Sequence, residues 1–159
     1  MFDRNFKELL SIFGALEVKY LVVGGYAVSF HAQPRATKDL DLFIKADPDN
    51  ALAVYRALAQ FGAPLDDLKA EDFTQPDTFF RMGTPPLMVD ILPEIKGVDF
   101  DQAWENRVQV VIDAASGLAA SFISRRDLLA AKLAAGRPQD LADAAALRQA
   151  EAPPGKPKS

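Results

Sequence analysis

Apolar residues recur with two periods along this chain, and the places where the period changes mark its elements. Phe6, Leu9, Leu10, Phe13 and Leu16 fall at helical spacing behind Asp3, whose side chain can cap the helix they predict. A short apolar strand follows at Tyr20 to Val23 and breaks at Gly24-Gly25. Tyr26 to Ala32 reads as a two-turn helix stopped near Pro34, because a residue before proline is pushed out of the helical region. Asp39 to Ile44 then alternates with period two. Leu40, Leu42 and Ile44 take one face of that strand, and Asp39, Asp41 and Phe43 the other.

Asp47-Pro48 pairs a cap with proline at the first helical position, and Gly62 ends the helix they open. Leu65 to Phe73 is acidic and weakly helical, a surface connection. Thr78 to Met82 and Leu87 to Leu92 are extended runs joined by Gly83-Thr84-Pro85-Pro86, the pattern of a hairpin. Asp90 lies in the second run, with Leu87, Val89 and Ile91 on the opposite face. Asp99 caps a short helix through Trp104, Arg107 to Ile112 is a further strand, and Ser116-Gly117 turns into an extended run ending near Ile123. Ser124-Arg125-Arg126-Asp127 has the form of a capping box with aspartate in place of glutamate, and opens a helix through Ala135 that Gly136 stops. Gln139 to Ala150 is a last, alanine-rich helix. This order predicts an α+β fold, a mixed sheet flanked by helices with the C-terminal helices packed against it, in a single domain over residues 1–150. Glu151 to Ser159, with its prolines, glycine and lysines, predicts a disordered tail.

Composition narrows the chemistry. The chain has 159 residues, enough for one domain with a real core, and 49% hydrophobic against 25% charged residues is ordinary for a soluble protein. No apolar run reaches the roughly 20 residues of a membrane span, and Met1-Phe2-Asp3-Arg4 does not begin a signal peptide. With no cysteine there is no thiolate metal site, and a reducing cytoplasm is the simplest location. A single histidine, His31, argues against a histidine-rich zinc site, and it reads as a surface or packing residue. A net charge of −4 argues against extended binding of duplex DNA.

The candidate chemistry is acidic. Aspartate is depleted in strands, yet Asp39 and Asp41 interrupt one apolar strand on the same face and Asp90 interrupts another. Solvent-facing charge on an edge strand would also account for the pair. Three carboxylates brought together from one sheet could instead hold hard divalent cations, as in-line phosphoryl transfer requires. Gly24-Gly25, at a strand-to-helix turn, lets backbone N–H groups approach an anion. Neither G-x-x-x-x-G-K-[ST] nor G-x-G-x-x-G is present, which excludes the P-loop and the Rossmann turn.

A glycine pair ending one strand, then R-x-T-x-D-x-D opening the next, then a third in-strand aspartate, resembles the DNA polymerase β-like minimal nucleotidyltransferase superfamily. The run Ala130 to Leu147 resembles the closing motif of the branch that contains abortive-infection-type nucleotidyltransferase toxins. The resemblance spans roughly Leu9 to Leu147. It implies a nucleotidyltransferase-like fold and Asp39, Asp41 and Asp90 as catalytic residues. They would be ligands of a two-metal magnesium site, with manganese as a substitute, and Asp90 would help deprotonate the attacking hydroxyl. It implies nucleotide contacts from Gly24, Gly25, Thr37 and Lys132, with Asp140 as the acidic partner of Lys132. Arg35 and Lys38 flank the metal strand as candidate contacts to phosphate or acceptor, and equally as solvated charge.

The resulting expectation is transfer of a nucleoside monophosphate from an NTP to an acceptor hydroxyl. The RNA or tRNA 3′ end is the favoured acceptor, and an antitoxin protein a candidate partner. A small molecule or a protein side chain is the alternative acceptor. A nucleotidyltransferase-like module that binds without turnover is the alternative function. It would be favoured if Asp90 pointed away from the pair or a basic side chain took the metal's place. Trp104 reads as a core residue, and Arg137 as a favourable helix terminator.

Overall fold

The computed structural model of the protein describes residues 2–34, 36–84 and 87–150. Within them six strands form one mixed sheet with helices packed against it, the expected α+β architecture. In chain order the elements are α1 (Arg4–Ala15), β1 (Tyr20–Val23), α2 (Gly24–His31), β2 (Asp39–Ile44), α3 (Pro48–Phe61), a 3₁₀ turn (Ala70–Thr74), β3 (Phe80–Thr84), β4 (Leu87–Leu92), α4 (Phe100–Glu105), β5 (Val108–Asp113), β6 (Leu118–Phe122), α5 (Arg125–Ala135) and α6 (Pro138–Gln149). The strand order across the sheet is β3-β4-β2-β1-β6-β5. β1 runs antiparallel to β2 and parallel to β6, and β2 runs parallel to β4. The parallel pairing of β2 with β4 sets Asp41 directly beside Asp90.

The caps read from the sequence are formed. Asp3, Asp47 and Asp99 each accept a backbone N–H from the first turn of the helix they precede. Ser124 Oγ accepts the N–H of Asp127 at 3.1 Å and its hydroxyl donates to the Asp127 carboxylate at 3.0 Å. The predicted stripe of α1 is the buried one: Phe6, Leu9, Leu10 and Phe13. These side chains join Tyr20, Leu21, Leu42, Ile44 and Leu58 in the core, where burying each large apolar side chain is worth about 1.5–3 kcal/mol.

Four local expectations shift. α2 begins at Gly24 rather than Tyr26, because Gly24 takes a left-handed φ of +68° that turns the chain from strand into helix within one residue. β3 begins at Phe80 rather than Thr78, since the Thr78 hydroxyl donates to the carbonyls of Asp72 and Gln75 and holds that end to the preceding turn. Trp104 is half-buried rather than core: it stacks on Phe100 and carries the Arg107 guanidinium 3.9 Å from its ring centroid. The stretch expected to be a surface connection buries Phe73 against the core. Arg35, the Pro85-Pro86 tip of the hairpin and the tail Glu151 to Ser159 lie outside the described residues. No helix among the described residues is long and apolar enough to cross a membrane.

One buried polar residue ties β1, β2 and α3 together and so fixes the frame of the acidic strand. Asn50 accepts the N–H of Lys19 at 2.8 Å and donates to the carbonyls of Lys19 and Lys45 at 3.0 and 2.8 Å. Asn50→Ala should remove three part-buried hydrogen bonds, leaving the Lys19 N–H and the Lys45 carbonyl without this partner while the Lys19 carbonyl keeps the Lys45 N–H. The expected cost is about 1–3 kcal/mol in urea unfolding. A loss below about 0.5 kcal/mol would show that these bonds do not hold the frame.

Candidate active site

The acidic cluster forms at one end of the sheet, where β1 gives way to α2. Val23, the last residue of β1, pairs with Asp41, and Asp41 pairs in turn with Asp90 across β2 and β4. Gly24 packs directly over the Asp41 carboxylate, and a Cβ at residue 24 would collide with Asp41 Oδ2. A Cβ on Gly25 would sit 2.8 Å from the Thr37 methyl. The glycine pair is therefore required by close packing against two of the predicted site residues. It also leaves the first turn of α2 next to the acids with no side-chain cap from Val23, so its backbone N–H dipoles can receive an anion.

The electrostatics of the cluster are unfavourable without a cation. Burial, reinforced by the neighbouring Asp90 and Asp39 charges and opposed by Lys132, pushes the Asp41 carboxyl up to about 7. Asp90 Oδ1 is buried and has no hydrogen-bond partner among the described residues. A hydrogen bond between Asp41 and Asp90 can exist only while one of the two carries a proton. Asp39 is more open, its side chain 43% exposed against 13% for Asp90.

Arg81, which the sequence reading did not single out, supplies positive charge here. It pairs with Asp90 in the β3–β4 register, and its guanidinium lies 3.2 Å from Asp90 Oδ2 and 3.4 Å from Asp39 Oδ2. Among the described residues no group of three His, Cys, Asp or Glu side chains closes around one point as a metal shell does. Asp41 and Asp90 nonetheless fit a divalent cation. They are adjacent, oxygen-bearing and mutually repelling, and one buried oxygen is without a partner. Asp39 is held by Arg81 and could join such a shell only by exchanging that partner.

Lys132 is close enough for its charge to oppose the rise at Asp41. It is 2.9 Å from Asp143 and 3.5 Å from Asp140, both buried on α6, so its acidic partners number two rather than the one expected. Arg137 Nε reaches Asp140 at 2.6 Å, and together with the Lys132 charge it holds the Asp140 carboxyl below its usual range against the effect of burial. A hollow of 250 Å³ is bounded by Gly24, Asp41, Lys96, Lys132 and Arg137. Three cationic side chains thus line it beside the helix start together with two carboxylates, Asp41 and Asp140, the cations outnumbering the acids as a polyphosphate site requires. Thr37 and the exposed Lys38 border a second, open hollow with Gly25 and Asp39. His31 takes no part in the cluster; its Nε2 is 2.7 Å from the Ile123 carbonyl.

A model of a nucleotidyltransferase family of unknown function, DUF6036, matches residues 2–148. The chain belongs to that family. No curated protein matches the sequence of this nucleotidyltransferase significantly. Its fold is shared with the lincomycin-bound lincosamide antibiotic adenylyltransferase LnuA (TM-score 0.59, 15% identity, covering 94% of this chain and 98% of that one). It is also shared with the antibiotic-resistance factor ANT(2'')-Ia (TM-score 0.56, 12% identity, covering 92% and 80%). Both confirm the nucleotidyltransferase-like fold expected from the glycine pair and the three aspartates.

Two outcomes follow for the acid cluster. Because the Asp41 carboxyl is raised from 3.8 to about 7, the unfolded chain loses its proton first, and folding stability falls as pH rises through that window. In EDTA, Asp41→Asn should match the wild type near pH 4 and exceed it by roughly 2–4 kcal/mol above pH 7. Equal stability at both pH values would remove the buried charge conflict. Gly24→Ala should displace Asp41 and lower Tm, since the new methyl meets the carboxylate and the left-handed backbone disfavours any Cβ. An unchanged Tm would mean that the turn relaxes at no cost.

Proposed function

We propose that this nucleotidyltransferase moves a nucleoside monophosphate from an NTP to the hydroxyl of a small acceptor molecule, using Mg²⁺ or Mn²⁺, in the cytoplasm. The observation that carries the reading is the Asp41–Asp90 pair under Gly24, next to a hollow walled by Lys96, Lys132 and Arg137. Asp41 and Asp90 would hold the cation, with Asp39 added once Arg81 has moved aside. When bound, a divalent cation would neutralise phosphate charge and stabilise the departing pyrophosphate.

The chain's own groups do the rest. The N–H groups at the start of α2 and the cationic wall receive the triphosphate, and Lys132 keeps its place there through Asp140 and Asp143. The acceptor oxygen forms a bond to the α-phosphorus, the bond from that phosphorus to the bridging oxygen of the β-phosphate breaks, and pyrophosphate leaves. The hydroxyl proton passes to a cluster carboxylate, the role that the family resemblance gives to Asp90.

A small acceptor is preferred to the RNA 3′ end because one solved neighbour is a lincosamide antibiotic adenylyltransferase and the other an antibiotic-resistance factor. The toxin role and an antitoxin partner draw support only from the closing-motif resemblance. A second reading, a binding module without turnover, is favoured by one observation: the Arg81 guanidinium bridges Asp39 and Asp90.

Incubation with the four α-³²P NTPs and Mg²⁺, offering lincomycin and total cellular RNA in separate reactions, separates these readings. Label should enter a small hydroxylated compound with the wild type and drop at least a hundredfold with Asp39→Ala/Asp41→Ala/Asp90→Ala. Label entering RNA alone would restore the RNA reading. NTP binding with no transfer to any acceptor would favour the silent module.

A further inference from the structure

Between α2, the loop leading into β2 and the edge strand β5 lies a cavity of 520 Å³ whose lining includes Thr37 and Lys38 but none of the three aspartates, neither glycine of the pair and not Lys132. Its wall is aromatic and aliphatic, from Phe2, Tyr26, Phe30, Val111 and Phe122, and Lys38 is the one charged side chain on it among the described residues. Its volume falls within the range of about 300–1,000 Å³ that suits small-molecule sites, which are likewise mostly apolar.

Three further observations make it a built site. Phe30 and Val111 are 48% and 61% exposed, and both open onto this one cavity. Single exposed apolar residues are ordinary, but two facing the same concave wall form a patch that a ligand would cover. The floor is preformed: Phe2 stacks on Tyr26 at 4.5 Å, and Phe122 meets Phe30 at 5.4 Å and Phe2 at 6.2 Å between ring centroids. The cavity also adjoins the acid cluster. Ala36, Thr37 and Lys38 wall it on one side and border the open hollow with Gly25 and Asp39 on the other. Tyr26 Oη donates to the Thr37 carbonyl at 3.3 Å and pins that loop. The Asp39 charge reaches the same phenol, helping burial and Asp3 to hold its pKa above the usual value.

We propose that this cavity binds the apolar body of the acceptor, an uncharged or singly charged amphipathic small molecule whose hydroxyl extends past Thr37 toward Asp39. The assignment rests on the nucleotidyl-transfer reading above and specifies its second substrate. A polynucleotide would need a row of cations along its phosphates, and the described residues of this wall supply one. A polycationic acceptor would meet Lys38 and, among the described lining residues, no acid.

The probe is octyl β-D-glucopyranoside below its micelle-forming concentration, titrated into the full chain with ¹³C-labelled methyl groups. Saturable shifts are expected at Val110, Val111 and Ile112. Nuclear Overhauser contacts should run from the octyl chain to Val111 and from the sugar to the Thr37 methyl. Val111→Asp, at an exposed position, should weaken the probe at least tenfold and leave calorimetric binding of a magnesium–ATP analogue unchanged. Non-saturating shifts, or equal probe binding by Val111→Asp, would overturn the cavity. Shifts at Val111 that follow protein concentration without probe would also overturn it, by making this face a contact between copies of the chain. Absence of nucleotide binding by the wild type, with probe binding intact, would instead remove the transfer reading and with it the acceptor role.

Discussion

Mutual repulsion among Asp39, Asp41 and Asp90 is the constraint on which the functional end of this molecule depends. Two of these carboxylates sit side by side on adjacent parallel strands, in a place dry enough to raise Asp41 to about 7. A sheet has no structural reason to concentrate acid there, and the surrounding architecture offsets the cost. Arg81 reaches in from β3 to Asp39 and Asp90, Lys132 contributes a favourable charge from α5, and Gly24 gives up its side chain to make room. Strain of this kind, held in place by the fold, is expected where a cation is to be bound.

The same arrangement sets two unlike surfaces beside the acids. The hollow with Lys96, Lys132 and Arg137 lies on one side of Asp41, and the loop from Ala36 to Lys38, with the aromatic cavity behind it, borders Asp39. A charged wall and an apolar wall thus flank one acid cluster. The two walls differ in composition and have α2 in common, Gly24 lining the first hollow and Tyr26 and Phe30 the second.

Much of this was legible in the sequence because it is local. The strict alternation of Asp39 to Ile44 gave β2 to the residue, the aspartate and serine caps gave the helix starts, and the order of glycine pair and aspartates gave the family resemblance. What could not be read depends on register and long-range approach. Arg81 looks like ordinary exposed charge until β3 pairs with β4 and places it opposite Asp90. Lys96 and the second acid partner of Lys132, Asp143, become visible only when α5 and α6 close over the end of the sheet. Gly24-Gly25 read as a phosphate turn; its packing against Asp41 and Thr37 required the parallel and antiparallel neighbours of β2 to be known. A basic residue in the hairpin partner of an in-strand aspartate is the signal that could have found Arg81.

Arg81 sits against two of the three carboxylates. If its guanidinium stands in for a divalent cation, metal and arginine compete for the same carboxylates. Titration of Mn²⁺ followed by electron paramagnetic resonance, without nucleotide, measures this directly in the wild type, Asp41→Asn, Asp90→Asn and Arg81→Gln. Saturable binding by the wild type is predicted, at least tenfold weaker with either asparagine and tighter with Arg81→Gln. No Mn²⁺ binding by any of the four, or equal binding by all, would contradict the cluster's role as a cation centre.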